Sequence, residues 1–165
     1  ITSEVKAIMN QSAIEAKAFH DVVIRPEHIL LSIFNNKDNI CVAVFQRLQV
    51  DISFLIDRIT EHLNYIDLTP RVGIAKKTIP LGDDTKIIIK NLDDEVKGLN
   101  ESIIDTHHII LAILNSGSSL ASMLNNVGVN YQMFKKPFNS ITRNEKIGFT
   151  LIPLVLYGGG ITNIY

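Results

Sequence analysis

Glu15-Ala-Lys-Ala-Phe19 followed by Pro26-Glu-His-Ile-Leu-Leu-Ser-Ile33 decides the fold, because it returns as Glu95-Val-Lys-Gly-Leu99 followed by Thr106-His-His-Ile-Ile-Leu-Ala-Ile113. A single offset of 80 relates Glu15 to Glu95, Lys17 to Lys97, Ile24 to Ile104, His28 to His108, Ile29 to Ile109 and Asn35 to Asn115. A register held that long marks a duplicated unit, and a duplicated unit is read before any single residue.

Within each copy the apolar period is helical. Ser3 reads as an N-cap, and Val5, Ile8, Ser12, Ala16 and Phe19 follow at spacings of three and four; Thr85, Ile88, Leu92, Val96 and Leu99 match them. A polar turn and a β-branched pair lead to a second helix, opened by Pro26 in one copy and by Asp105 or Thr106 in the other. That helix is apolar over more than half its surface, as a central buried helix must be. Third helices are expected near Ile40–Leu48 and Leu120–Val127, where the offset slips to 79. Asp51 and Asn130 then cap fourth helices, Ile52–Leu63 and Tyr131–Phe138, and Gly128 is placed to end the helix before it.

The expectation is an all-α, eight-helix domain of two four-helix repeats related by a pseudo-two-fold axis. Repeat one covers 2–63, a connecting loop 64–82 and repeat two 83–138, giving one domain over 1–138. Each half of about 60 residues would be marginal alone, so one fused core is expected. Residues 139–165 follow neither repeat. Phe149–Tyr157 is apolar and β-prone, so this tail reads either as an arm on its own domain or as a linker.

Bulk properties exclude several functions. A formal net charge of -1 gives no basic footprint for nucleic acid. No apolar run approaches the roughly 20 residues of a membrane span, and the start at Ile1 carries no signal-peptide pattern. Cys41, the single cysteine, lies in an apolar run and reads as a small buried hydrophobe.

No Walker loop and no G-x-S-x-G elbow occurs, so neither nucleotide nor acyl-transfer chemistry is expected, and no cofactor. The carboxylate and imidazole pairs at Glu27-His28 and His107-His108 are the one constellation that suggests a small hydrolase. Adjacent helical residues point about 100° apart, so His107 and His108 are expected not to share a metal, and His28 and His108 to serve as structural hydrogen-bonding groups. Asp83, Asp84, Asp93, Asp94 and Glu95 read as a solvated acidic face.

The doubled P/T-E-H-I-L-L-x-I helix start, with the turns Leu48-Gln-Val-Asp51 and Val127-Gly-Val-Asn130, resembles the N-terminal domain of Clp-family AAA+ protein unfoldases, closest to the ClpC type. The resemblance covers residues 2 to 138. It implies a module without ATPase activity, which sits above a hexameric ring and captures substrate and adaptor proteins. It further implies a bacterial cytoplasmic or plastid stromal setting and an isolated domain that is monomeric. A freestanding accessory protein docking on a Clp complex is the alternative.

In some ClpC proteins an acidic residue at the start of the second helix of each repeat engages phosphorylated arginine. Glu27 matches it and His107 does not, so one pocket rather than two is implied; a carboxylate offers guanidinium two parallel hydrogen bonds that imidazole lacks. The partner-contact candidates are therefore Glu27, Arg25, Ser3 and His107.

Overall fold

A computed structural model describes residues 1–66 and 78–139, all of it helices and their connections. Repeat one consists of α1 (Ser3–Ala18), α2 (Pro26–Asn35), α3 (Ile40–Arg47) and α4 (Ile52–Tyr65). Repeat two follows with α5 (Asp83–Lys90), α6 (Leu92–Gly98), α7 (Thr106–Leu114), α8 (Ser119–Asn126) and α9 (Tyr131–Asn139). Shifted by 80, α1 becomes 83–98, so α5 and α6 are one helix position interrupted at Asn91. That residue sits at φ -91° and ψ 0°, and asparagine competes for local backbone groups better than it holds a helix interior. The eight-position double repeat holds.

Local chemistry sets the helix ends. The cap of α1 is Thr2, whose hydroxyl accepts the Val5 N–H at 3.2 Å, and Ser3 is the first helical residue, one position later than expected for a cap. Asp51 and Asn130 cap α4 and α9 by accepting from Phe54 and Met133. Four helices end in the same crossed pair of backbone bonds. After α1, His20 bonds to Lys17 and Asp21 to Ala16; after α6, Asn100 bonds to Lys97 and Glu101 to Val96. Gln49 and Gly128 close α3 and α8 likewise, and all four turn residues have positive φ. The residue after each of the first two turns is acidic, and both acids shape the sites described below.

The central helices are α2 and α7. Pro26 through Phe34 and Thr106 through Leu114 are buried without a break, so neither helix has a solvent face. Phe34 meets Phe45 edge-on at 5.2 Å, and Phe45 meets Phe134 of the other repeat at 5.4 Å, making one core of the two repeats. Cys41 lies wholly inside it, and burial pushes its thiol pKa up.

The repeats are also joined by backbone bonds in matching places. Gly82, before α5, donates to Ile24 O at 2.9 Å, and Thr2, before α1, donates to Ile104 O at 3.1 Å. Gly82 is Thr2 plus 80 and Ile104 is Ile24 plus 80, so each repeat secures the start of the other's first helix. Ile24 additionally donates to Pro80 O at 2.8 Å, and Thr85 Oγ1 donates to Ile24 O at 2.8 Å. A Cβ at position 82 would stand 3.3 Å from both Ile24 O and Val23 Cγ2, which is why glycine occupies the place of threonine. Residues 67–77 of the connecting loop and 140–165 of the tail lie outside the described residues.

Because the core is shared, Phe45→Ala is expected to cost about 3–5 kcal/mol. Chemical denaturation followed by probes in both repeats should show one transition shifted as a whole, and two separated transitions would contradict a shared core.

Candidate functional site

The second helix of each repeat begins with the same imidazole device. At its third position, His28 Nδ1 accepts the Arg25 backbone N–H at 2.9 Å, and His108 Nδ1 accepts the Asp105 N–H at 2.8 Å. This is the reciprocal half of a capping box, with imidazole in the place usually taken by glutamate. A neutral ring that accepts at Nδ1 carries its proton on Nε2, so Nε2 is a donor in both. Burial lowers both rings to a pKa of about 4, against the partial opposition of Asp21 on His28 and of Asp105 on His108. His107 is lowered to about 4 by the same cause.

What each Nε2 meets separates the repeats. In repeat one the residue after the turn is Asp21, 1% exposed, and its carboxylate is engaged with Arg25: Nε to Oδ2 at 2.5 Å and Nη2 to Oδ1 at 3.3 Å. His28 Nε2 is left 3.8 Å from Asp21 Oδ2, with no hydrogen-bond partner. In repeat two the matching residue is Glu101, one methylene longer, and position 105 is aspartate rather than arginine. Glu101 Oε1 reaches His108 Nε2 at 2.8 Å and His107 Nε2 at 2.6 Å.

Glu27 stands beside His28 on α2, buried but for 5% of its surface, and its Oε2 lies 3.2 Å from His62 Nε2 near the end of α4. Both line a cavity of about 470 Å³ between the repeats. Val23, Arg25 and Pro26 line it together with Pro80–Lys86, the entry to α5, which is bonded alongside them at Ile24. Arg25, though in the wall, is bonded to Asp21. The cavity can offer a carboxylate to a cationic donor group.

His107 takes the place of Glu27 and is built differently. Its ring lies 4.4 Å from Phe138 at an interplanar angle of 7°, a stack, and 4.0 Å from the ring of His108. The expectation that adjacent histidines diverge is therefore corrected: their Nε2 atoms converge on one carboxylate oxygen, drawn there by Glu101. Metal binding does not suit this cluster. A ligating ring donates from its second nitrogen to an acceptor, whereas His108 Nδ1 faces the Asp105 N–H and its Nε2 already carries a proton. His107 Nδ1 is buried and without a partner.

The four candidate residues fall in two places. Arg25 and Glu27 share the cavity facing the start of α5. Ser3, exposed at the start of α1, belongs with repeat two, where Thr2 Oγ1 bonds Asp105 at 3.1 Å and Thr106 Oγ1 bonds Glu4 at 3.4 Å beside His107. Sequence reading missed Asp21, Glu101 and His62. The first two carried a signal, an acid at matching positions 21 and 101; His62 carried none, since its counterpart at offset 79 is Ile141.

Comparison with known proteins now gives these features a context. The family model for the Clp repeat (R) N-terminal domain matches residues 1–143. The chain is 32% identical over 133 residues to the negative regulator of genetic competence ClpC/MecB of Bacillus subtilis, covering 76% of this chain and 15% of that protein. It is 24% identical over 147 residues to the chaperone protein ClpB of Corynebacterium diphtheriae, covering 88% and 17%. The Hsp104 N-terminal domain from Candida albicans superposes with a TM-score of 0.69 at 16% identity, over 85% of this chain and 89% of that one.

The buried histidines make stability depend on pH with a definite sign. Their folded pKa of about 4 lies below the ordinary 6.5, so the unfolded chain takes up protons first. Their contribution is complete above pH 6.5 and is lost as pH falls towards 4, at about 1.4 kcal/mol per pH unit per histidine. His108→Gln keeps a capping-box acceptor for the Asp105 N–H but cannot titrate. Urea unfolding between pH 7 and 4.5 should show its slope reduced by one histidine, and an unchanged slope would contradict the buried neutral assignment.

Proposed function

The chain belongs to the Clp repeat (R) N-terminal domain family, and from that membership we propose that it is the substrate- and adaptor-capturing module of an ATP-dependent Clp chaperone or protease. The chain spans 15 to 17% of the length of the ClpC/MecB and ClpB relatives above. ATP hydrolysis and assembly into a hexameric ring are accordingly assigned to the rest of such a protein, in the cytoplasm. Among the described residues no helix is long and apolar enough to cross a membrane.

The observation that carries this reading is the open cavity holding a buried carboxylate at Glu27. A carboxylate in a sheltered pocket selects a guanidinium through two parallel charge-assisted bonds. The ligand is an arginine side chain on a captured protein, phosphorylated arginine being one form of it. A modest pocket also suits the task. Capture before threading requires fast release, and affinity in related complexes is set mainly by dissociation rate. Repeat two, with His107 stacked under Phe138, contributes stability rather than a second carboxylate pocket.

Glu27→Gln keeps the shape and removes the charge. In affinity capture from a lysate followed by quantitative mass spectrometry, this variant should recover arginine-dependent partners at least fivefold less well than wild type, whereas His107→Gln should recover them normally. Equal recovery of every partner by Glu27→Gln would overturn the assignment.

A further inference from the structure

Glu27 is not idle in the structure. His62, on the last turns of α4, is 36% exposed at its side chain and places Nε2 at 3.2 Å from Oε2 of a carboxylate that is itself 6% exposed. An arriving guanidinium uses both oxygens for its two parallel bonds, and the His62 ring already stands against one of them.

We propose that His62 is an internal competitor for the Glu27 carboxylate, so that capture of an arginine side chain by this cavity weakens as the medium acidifies. The inference rests on the Glu27 reading above and adds its regulation. A neutral imidazole competes as one ordinary hydrogen-bond donor. A protonated one competes as a charge-assisted ion pair and adds a positive charge at the mouth, where the ligand must bring its own.

The other charged groups around the cavity set the baseline without supplying the switch. On the α2 side Arg25 is held by Asp21, and His28, with its pKa lowered to about 4 by burial, stays neutral over the range concerned. From α5 come Asp83, Asp84 and Lys86, two acids and one base along the cavity lining. His62 is the imidazole in direct contact with Glu27. His62 is therefore a positioning residue, acting on the ligand through Glu27. Repeat two has no equivalent, because its own residue at the Glu27 position is a stacked histidine.

The test uses the whole chain and a tetramethylrhodamine-labelled tetrapeptide with one arginine, titrated by anisotropy at pH 8 and pH 5.5 at constant ionic strength. Wild type should bind measurably more weakly at pH 5.5 than at pH 8, the loss expected when one proton must leave before the ligand enters. His62→Gln should bind equally at both pH values, near the wild-type affinity at pH 8. His62→Lys, a permanent cation, should bind weakly at both. A wild-type pH dependence that survives in His62→Gln, or a wild-type affinity that does not change with pH, overturns the role of His62 while leaving Glu27 in place. Absence of peptide binding at pH 8, or full binding by Glu27→Gln, overturns the Glu27 reading and this inference with it.

Discussion

The reciprocal clasp between the repeats, Gly82 N–H to Ile24 O and Thr2 N–H to Ile104 O, is the constraint on which the rest of the structure depends. The start of a helix leaves backbone N–H groups without intrahelical partners. Here the residue just before each first helix is tied to an extended residue of the other repeat, so the first helix of neither repeat can take its place alone. The shared aromatic contact at Phe45 and Phe134 and the unbroken burial of α2 and α7 then follow, since two central helices without a solvent face need each other's repeat as cover.

Much of this was legible because duplication encodes itself as an offset. The positions of α2 and α7, the capping by Asp51 and Asn130, and the positive φ at Gly128 are all local chemistry repeated at 79 or 80 residues. The misreadings have physical causes. Thr2 and Ser3 are both good caps, and what favours Thr2 is a tertiary bond from its hydroxyl to Asp105, which no local pattern contains. The interruption at Asn91 falls on a residue whose counterpart, Gln11, continues its helix. The convergence of His107 and His108 was hidden because helical geometry fixes only the Cβ directions. The side chains turn towards whatever acceptor the preceding loop brings, and Glu101 is supplied by the turn between α6 and α7, outside either helical pattern.

The candidate site was legible in one residue and not in its surroundings. Glu27 is read from its place at the head of α2, but its burial, the cavity in front of it and the contact with His62 come from the packing of α4 and the entry to α5 against that helix. The divergence of the repeats has a compact origin in three matched positions. Asp21, Arg25 and Glu27 give an ion pair with a second carboxylate beside it that faces the cavity and His62. Glu101, Asp105 and His107 give a carboxylate spent on two imidazoles, one of them covered by Phe138. One copy is thereby available for chemistry with another molecule, and the other is consumed internally.

The cavity wall has a thermodynamic consequence. Pro80, Leu81 and Gly82 line the pocket and are also the residues that clasp Ile24. Anything bound there touches both repeats across the very bonds that hold them together, and it can be bound only while the clasp is closed. Occupancy and folding are therefore linked functions: a ligand at a hundred times its dissociation constant would add about 2.7 kcal/mol to the stability of the whole double unit. A ligand held in this pocket would act as a reversible staple on the double unit that holds it.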